Sequence, residues 1–230
     1  MKNSRQLKTE AKAMLKGRWK EAILLNLLPT LIAIVIALII AIPTVLLLMN
    51  HSSDLNTLNE QTMNSSGGSI GGFGGGILSY LFVSGIMWTY LDLYRGQKET
   101  IQPFKDIFRG FKSPFILGLI ALYLLISIFT TLWFLLLIIP GIIKSYAYSQ
   151  AMFVYYDLWQ ENQKTPKLLE TITISRKLMK GYKWKLFWLD LSFIGWHLLG
   201  ILSLGIGYLW ITPYLYATKA AFYDALPSPE

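Results

Sequence analysis

The sequence predicts an all-α membrane protein with six transmembrane helices, arranged as three hairpin repeats that are each preceded by a short basic amphipathic segment. Composition gives the first indication: of 230 residues, 53% are hydrophobic and only 15% are charged, whereas a soluble domain carries roughly 25% charged residues. Several uncharged runs are long enough to cross a bilayer. Clusters of Lys and Arg alternate with these runs, as the positive-inside rule describes for membrane proteins.

The first predicted span is Ala22–Met49, a run of 28 residues without a charge. At 1.5 Å per residue it extends about 42 Å, more than the roughly 30 Å of the hydrocarbon layer. We therefore expect this helix to tilt, to kink at Pro29 or Pro43, or to protrude. A cleaved signal peptide has an apolar region of only about 7–15 residues, so we expect the segment to be retained.

Asn50–Gly76 is the predicted external loop, because it contains no Lys or Arg and is rich in glycine. A phosphate-binding loop needs a Lys followed by Ser or Thr at the start of a helix, and this segment has none. The composition instead predicts a flexible linker.

The remaining spans are predicted from four further apolar stretches: Ile77–Leu93, Pro114–Pro140, Ile142–Trp159 and Leu186–Leu226. The last stretch is too long for one span and is interpreted as two, with a turn at Gly205 and Gly207. Ile142–Trp159 is short and polar at both ends, so whether it crosses the membrane fully is left open.

Basic residues cluster in three stretches, which hold seven of them in residues 1–21, five in 94–113 and seven in 160–185. This pattern predicts a cytoplasmic-membrane protein with both termini in the cytoplasm and anionic lipid headgroups as partners. The clusters account for most of the net charge of +8, so no nucleic-acid partner is expected. The first stretch has helical spacing and is expected to lie in the headgroup plane, apolar side toward lipid. The sequence indicates neither a protein partner nor a homo-oligomer.

Two signatures recur three times along the chain. A basic residue followed by glycine precedes each odd-numbered span, at Lys16-Gly17, Arg109-Gly110 and Lys180-Gly181. An aspartate ends each even-numbered span, at Asp92, Asp157 and Asp224. These signatures predict a single domain, 1–230, with repeat units of about 1–93, 101–159 and 168–226. The alternative is coincidence among residues that are common at membrane interfaces.

Each of these aspartates is expected at a helix C-terminus, where a negative charge opposes the helix dipole by about 0.3–1 kcal/mol. We therefore predict that Asp92, Asp157 and Asp224 form ion pairs with the basic residues of the glycine motifs. The predicted partners are Lys16, Arg109 and Lys180. Solvated aspartates without a partner are the alternative.

Ionisable groups within spans indicate a functional site by default, and the sequence offers Asp190, His197 and Lys219. Asp190 and Lys219 each lie about one turn from the cytoplasmic end of their span, which predicts a salt bridge between antiparallel helices. A proton-coupling or ion-coupling carboxylate is the alternative for Asp190. His197 follows Asp190 by two turns on the same face, which suits a proton path; a histidine hydrogen-bonded between helices is the alternative.

Several kinds of chemistry are not expected. The chain has no cysteine, which excludes disulfides, thiol nucleophiles and thiolate metal sites. A metal site needs three or four ligands, and the two histidines, His51 and His197, fall in different parts of the predicted topology, so no metal is expected. Because no nucleophile elbow, zincin helix or phosphotransfer motif occurs, we expect no cofactor and no enzymatic activity.

Four segments resemble one protein family: Leu136–Ser145 (LLIIPGIIKS), Tyr146–Asp157, Ser175–Gly181 (SRKLMKG) and Leu189–Gly200 (LDLSFIGWHLLG). It is an uncharacterised family of integral membrane proteins from low-GC Gram-positive bacteria, named only as a domain of unknown function. The resemblance extends over nearly the whole chain, including Arg5–Lys8 and Lys16-Gly17. It implies a membrane location and no reaction, so no catalytic residue is carried over.

These observations favour a non-enzymatic, accessory or transport-type component of the cell envelope. Two alternatives remain open. One is a membrane scaffold that recruits partners or anionic lipid through its basic cytoplasmic helices. The other is an intramembrane enzyme or proton-coupled carrier that uses Asp190 and His197.

Overall fold

A computed structural model describes residues 2–50 and 67–227, and this part of the chain is helical throughout, with no β-strand. Eleven α-helices and one 3₁₀ helix occur in these residues. In chain order they are α1 Ser4–Leu15, α2 Trp19–Asn50, α3 Gly67–Tyr94, α4 Pro103–Asp106, the 3₁₀ helix Arg109–Phe111, α5 Phe115–Leu136, α6 Ile138–Tyr148, α7 Ala151–Asn162, α8 Leu168–Leu178, α9 Lys183–Leu191, α10 Ile194–Leu202 and α11 Tyr208–Asp224.

Four runs are long and apolar enough to cross a membrane: Trp19–Pro43, Gly74–Tyr94, Phe115–Leu136 and Lys183–Leu202. The second of these, in α3, is buried over 67% of its most apolar stretch, whereas the other three are buried over only 12–22%. Helix α3 is therefore the central helix, and the other three expose most of their apolar surface.

The core forms where α3 packs against α7 and α11, and its largest buried side chains are aromatic. Trp88 on α3 is fully buried, and its ring stacks on Tyr156 of α7 at a centroid distance of 4.8 Å. The indole nitrogen of Trp88 donates a hydrogen bond to the carbonyl of Met152 at 3.0 Å. Also on α7, Phe153 stacks on Tyr223 of α11 at 4.7 Å. These contacts fix the register of the three helices that carry Asp92, Asp157 and Asp224.

Helix α1 is amphipathic as predicted, but the expectation that its apolar side faces lipid is wrong. Leu7, Ala11 and Leu15 on that side are buried within the protein, where α1 packs against α11, α3 and α9. A capping box starts the helix. The Asn3 side chain accepts a hydrogen bond from the backbone N–H of Gln6, and the Gln6 side chain accepts one from the backbone N–H of Asn3.

The predicted loop also differs from the structure. Residues 67–76, which include the glycine cluster, form the beginning of α3 rather than a linker, while residues 51–66 of the predicted loop lie outside the described residues. Helix α2 continues through both Pro29 and Pro43. The turn predicted at Gly205 and Gly207 is present, with Gly205 at φ +91°.

The fourth and sixth predicted spans are not among the four long apolar helices. Ile142–Trp159 is divided between α6 and α7, with a break at Ser149 and Gln150. The break between α5 and α6 occurs at the extended residue Leu137, which is earlier than Pro140, the predicted end of the preceding span. The sixth span corresponds to α11, which has 17 residues and extends only about 26 Å at 1.5 Å per residue.

The three glycines of the repeated basic motif have two structural roles. Gly17 and Gly181 adopt left-handed conformations, with φ of +82° and +83°, just after a helix ends. Gly110 lies instead within the 3₁₀ helix, where a Cβ would sit 2.3 Å from the carbonyl oxygen of Leu81. The first and third motifs are therefore alike in conformation, and the division into three repeat units stays a prediction.

Candidate functional site

One end of the helix bundle carries a layer of ion pairs. Arg95, which follows α3, binds two carboxylates at once. Its two terminal nitrogens hold the Asp157 oxygens of α7 at 2.6 and 3.0 Å, and its Nε lies 2.7 Å from Asp224 of α11. Tyr223 donates a further hydrogen bond to Asp157 at 2.7 Å. One arginine thus joins the end of α3, the middle of α7 and the end of α11.

A second arginine holds the remaining aspartate. Nη2 of Arg109 lies 2.7 Å from Asp92 of α3 and donates to the Tyr156 hydroxyl at 2.6 Å. The Tyr156 hydroxyl lies 3.0 Å from the same carboxylate oxygen of Asp92, which is only 6% exposed. Because removing one partner of a buried pair leaves an uncompensated charge, this contact is costly to break.

Both arginines stay charged. Burial lowers the pKa of Arg95, but its hydrogen bonds to Asp157 and Asp224 outweigh this effect and raise the pKa above the usual range. Burial also lowers the pKa of Arg109, and the nearby charge of Asp92 more than offsets that effect. The two cations of the layer are therefore permanent.

The structure brings some of the predicted ion-pair residues together and not others. Asp92 lies beside Arg109, whereas Asp157 and Asp224 both bind Arg95. Lys16 and Lys180 take part in none of the ion pairs found in residues 2–50 and 67–227, and both are exposed. Asp157 and Asp224 therefore pair with a basic residue that the repeated glycine motif does not contain.

A tyrosine precedes two of these aspartates and contacts the aspartate of another helix. Tyr156, next to Asp157, donates to Asp92, and Tyr223, next to Asp224, donates to Asp157. The sequence signal was present, since both tyrosines directly precede a motif aspartate, but its pairing with a neighbouring helix depends on the three-dimensional packing.

A cavity of about 310 Å³, named the Gln150 cavity, lies among α3, α6, α7, α9 and α11, and its lining is mostly apolar. Its polar lining comes from Ser145, Tyr146, Ser149, Gln150, Asp190 and Lys219. Lys219 is five residues before Asp224 on α11, or about 7.5 Å along the helix axis. The cavity therefore lies just inside the bundle from the ion-pair layer.

Asp190 and Lys219 face each other in this cavity. The Lys219 Nζ is 3.2 Å from Asp190 Oδ1, and the Tyr146 hydroxyl donates to the other carboxylate oxygen at 3.2 Å. The structure thus brings together the two groups whose pairing the sequence predicted. Because the pair is partly exposed to the cavity, a solute that enters can reach both charges.

Gln150 supplies an acceptor that nothing in the described structure uses. The residue is 4% exposed, and its Oε1 has no hydrogen-bond partner, while its Nε2 donates to Ser149 at 2.8 Å. Leaving a buried acceptor unpaired costs about 1–3 kcal/mol, and each such group in a folded protein needs an explanation. Gln150 itself lines the cavity, so this unpaired oxygen lies close to the cavity wall.

The helix break explains why Gln150 lies at the cavity. The Ser149 hydroxyl donates to the Tyr146 carbonyl at 2.9 Å, which competes with the helical backbone pattern at the end of α6. The Gln150 carbonyl then accepts from Phe153 and Val154 at the start of α7. Ser149 and Gln150 both keep right-handed helical backbone angles, so the break interrupts the helical hydrogen-bond pattern without inserting an extended segment.

His197 is placed apart from Asp190. The Tyr208 hydroxyl donates to the His197 carbonyl at 3.5 Å, and the two rings lie 5.7 Å apart. The His197 side chain does not line the cavity, and it forms no hydrogen bond or ion pair with the residues that the structure describes. His51 lies outside those residues. Within residues 2–50 and 67–227, no group of three acidic or histidine side chains is arranged to hold a metal ion.

Comparison with known proteins gives one match. A family model described as "Protein of unknown function (DUF975)" matches residues 1–154 and residues 134–230. No curated protein and no solved structure matches the chain.

Proposed function

Since the chain belongs to the DUF975 family of unknown function, we propose an activity from its own residues. It is a transport-type membrane protein that binds a small polar solute beside Asp190 and Lys219. The observation on which this proposal depends is the Gln150 cavity at the break between α6 and α7, which is lined by the Asp190–Lys219 ion pair and by Gln150, whose buried side-chain oxygen is unpaired. Ionisable residues and interrupted helices inside a bundle are typical of solute and ion pathways.

The surface of the bundle supports a membrane location. Large apolar side chains are exposed over α5, α6 and α10, with Leu135, Ile139 and Leu202 each more than 70% exposed. Exposure of so many large apolar side chains is unfavourable in water. We propose that it faces the lipid of the cytoplasmic membrane, and that the chain crosses this membrane with both termini in the cytoplasm.

The three basic stretches support this orientation, and anionic headgroups are the proposed lipid partners. Lys12, Lys16 and Lys20 are exposed while the apolar side of α1 is held by the protein. Their charges therefore remain available to the inner leaflet. This arrangement favours a helix that anchors the bundle at the membrane surface over one that inserts by itself.

No geometric observation favours the enzyme alternative over solute binding. That alternative needs Asp190 and His197 to act together, and the structure places only Asp190 in the cavity. The pairing of Asp190 with Lys219 instead favours a site that holds the charges of a solute, without covalent chemistry.

The test is uptake by proteoliposomes of three radiolabelled solutes of similar planar shape: guanidinium, urea and acetate. We expect protein-dependent uptake of at least one of them. Asp190→Asn keeps the shape of the side chain but removes the charge that faces Lys219, and should slow that uptake about tenfold, the effect of one interaction of about 1.4 kcal/mol.

Glu161→Gln is the matched control, because it makes the same chemical change at an exposed residue of α7 outside the cavity. It should leave uptake unchanged. Rates equal to those of protein-free vesicles for all three solutes would refute the proposal, as would uptake that is indifferent to Asp190→Asn.

A further inference from the structure

A second cavity, of about 460 Å³ and named the Asn26 cavity, lies between α2, α3 and α11. Its lining includes Asn26, Thr30, Ser79 and Thr212. Asn26 donates to the Tyr90 hydroxyl at 2.6 Å and to the Ala22 carbonyl at 2.8 Å, but its Oδ1 is buried and has no partner in the described structure. Each of the two cavities is therefore lined by an amide residue, Asn26 or Gln150, whose buried side-chain oxygen has no partner in the described structure.

The two cavities follow one another along the same helices. On α3, the Asn26 cavity extends from Gly75 to Ile86, and the Gln150 cavity includes Val83 and Met87. On α11 the order is the same: Thr212 lines the Asn26 cavity and Lys219 lines the Gln150 cavity. Thr212 and Lys219 are separated by about 10 Å at 1.5 Å per residue.

Two side chains, Tyr216 and Val83, line both cavities. Both are partly exposed and lie on facing helices, α11 and α3. They therefore form the partition between the two spaces. The aromatic ring of Tyr216 is the larger of the two obstacles.

We propose that the two cavities are consecutive parts of one path and that Tyr216 is its gate. The path takes a small solute with hydrogen-bond donors, of the class of a protonated amine or a guanidinium. An amide residue with an unpaired oxygen lines each cavity, and the Gln150 cavity adds the carboxylate of Asp190. A cation with several N–H groups satisfies these oxygens, whereas an anion such as acetate has nothing to donate to them. This inference rests on the proposed function and adds the route and the solute class.

The absence of cysteine from the chain makes a direct test possible. Ser79→Cys places a single thiol at the Asn26 cavity, and Ser149→Cys places one at the Gln150 cavity. Leu132→Cys, on the exposed apolar surface of α5, is the lipid-facing control. Each thiol is treated in intact cells with a membrane-impermeant trimethylammonium methanethiosulfonate, and the modification rate is measured.

We expect Ser79→Cys to react, Leu132→Cys to remain unmodified, and Ser149→Cys to react slowly while Tyr216 is present. Tyr216→Ala should raise the Ser149→Cys rate about tenfold or more and leave the Ser79→Cys rate unchanged. Guanidinium chloride should slow the modification of Ser149→Cys, and sodium acetate at equal ionic strength should not.

Unchanged reactivity of Ser149→Cys in Tyr216→Ala would overturn the gate, and equal protection by acetate would overturn the solute class. A loss of Ser79→Cys reactivity in the Tyr216→Ala background would indicate that this variant misfolds. In that case Val83→Ala, which opens the same partition, is used in place of Tyr216→Ala, and the same changes in modification rate are expected. Vesicles that take up acetate but not guanidinium would overturn this inference and leave the proposed function standing. Vesicles that take up none of the three solutes would overturn both.

Discussion

Replacing Arg109 with methionine tests whether the ion-pair layer holds the helix ends together. In the native protein Arg109 contacts Asp92 at 2.7 Å and the Tyr156 hydroxyl at 2.6 Å, and Asp92 is 6% exposed. Arg109→Met leaves that carboxylate buried with only the hydroxyl beside it. Breaking a buried pair by removing one partner costs about 3–5 kcal/mol, so we expect a loss of this size in the free energy of unfolding.

The assay is equilibrium unfolding of the purified protein in mixed micelles of dodecyl maltoside and increasing sodium dodecyl sulfate, followed by the fluorescence of its eight tryptophans. Lys2→Met is the control. It removes a partner from the exposed pair with Glu10, where exposed pairs contribute about 0–1 kcal/mol. The double variant Arg109→Met with Asp92→Asn should be more stable than Arg109→Met alone, because it also removes the uncompensated charge. A loss in Arg109→Met no larger than in Lys2→Met would refute the reasoning.

Three further outcomes are expected from the same preparations. Gly110→Ala should cost about 1–3 kcal/mol, the range for overpacking, because its Cβ would meet the Leu81 carbonyl at 2.3 Å; Gly195→Ala, with open space around it, should not destabilise. Tyr155→Phe should be neutral or stabilising in thermal unfolding, since the buried Tyr155 hydroxyl has no partner, and a clear loss of stability would show that the hydroxyl is paired. Burial raises the pKa of Glu10, but hydrogen bonds from Lys2 and Tyr94 outweigh this effect and hold the pKa below its ordinary 4.5. The carboxylate therefore stabilises the fold above about pH 4.5, and this stabilisation is lost as the pH falls through the folded-state pKa. Glu10→Gln should remove that part of the pH dependence of the melting temperature.

Asp92, Asp157 and Asp224 show what sequence can predict about the ion-pair layer. A carboxylate at a helix C-terminus needs an offsetting cation, and this argument identified the three aspartates as residues in need of partners. The expected position is wrong for Asp157, which lies in the middle of α7. It did not identify Arg95 as the partner of two of them. Which basic side chain reaches a carboxylate depends on how the helix ends pack, and no spacing along the chain records that.

The cavity shows a second limit. Asp190 and Lys219 stand out in the sequence because charges are rare in apolar runs, and the structure places them 3.2 Å apart. Gln150 does not stand out, since an uncharged amide near the middle of a predicted span reads as a tolerated polar residue. Its significance comes from the helix break and from burial without a partner, both of which depend on the surrounding helices.

The glycine cluster misled sequence interpretation for a related reason. Glycine has low helix propensity, so the composition of residues 67–76 predicts a linker, yet these residues begin α3. In a membrane the backbone must satisfy its own hydrogen bonds, which favours a helix even in a poor helix-forming sequence.

The most direct test of the central claim, that a polar solute binds in the Gln150 cavity, is the uptake rate of guanidinium, urea and acetate in vesicles that carry Gln150→Leu. This variant removes the unpaired acceptor and leaves the Asp190–Lys219 pair intact. Gln97→Leu makes the same change at an exposed residue outside the cavity. With Gln150→Leu, the solute taken up by the native protein should enter about tenfold more slowly, as expected for the loss of one interaction of about 1.4 kcal/mol. With Gln97→Leu, it should enter at the native rate. Equal rates for the native protein and both variants would contradict it.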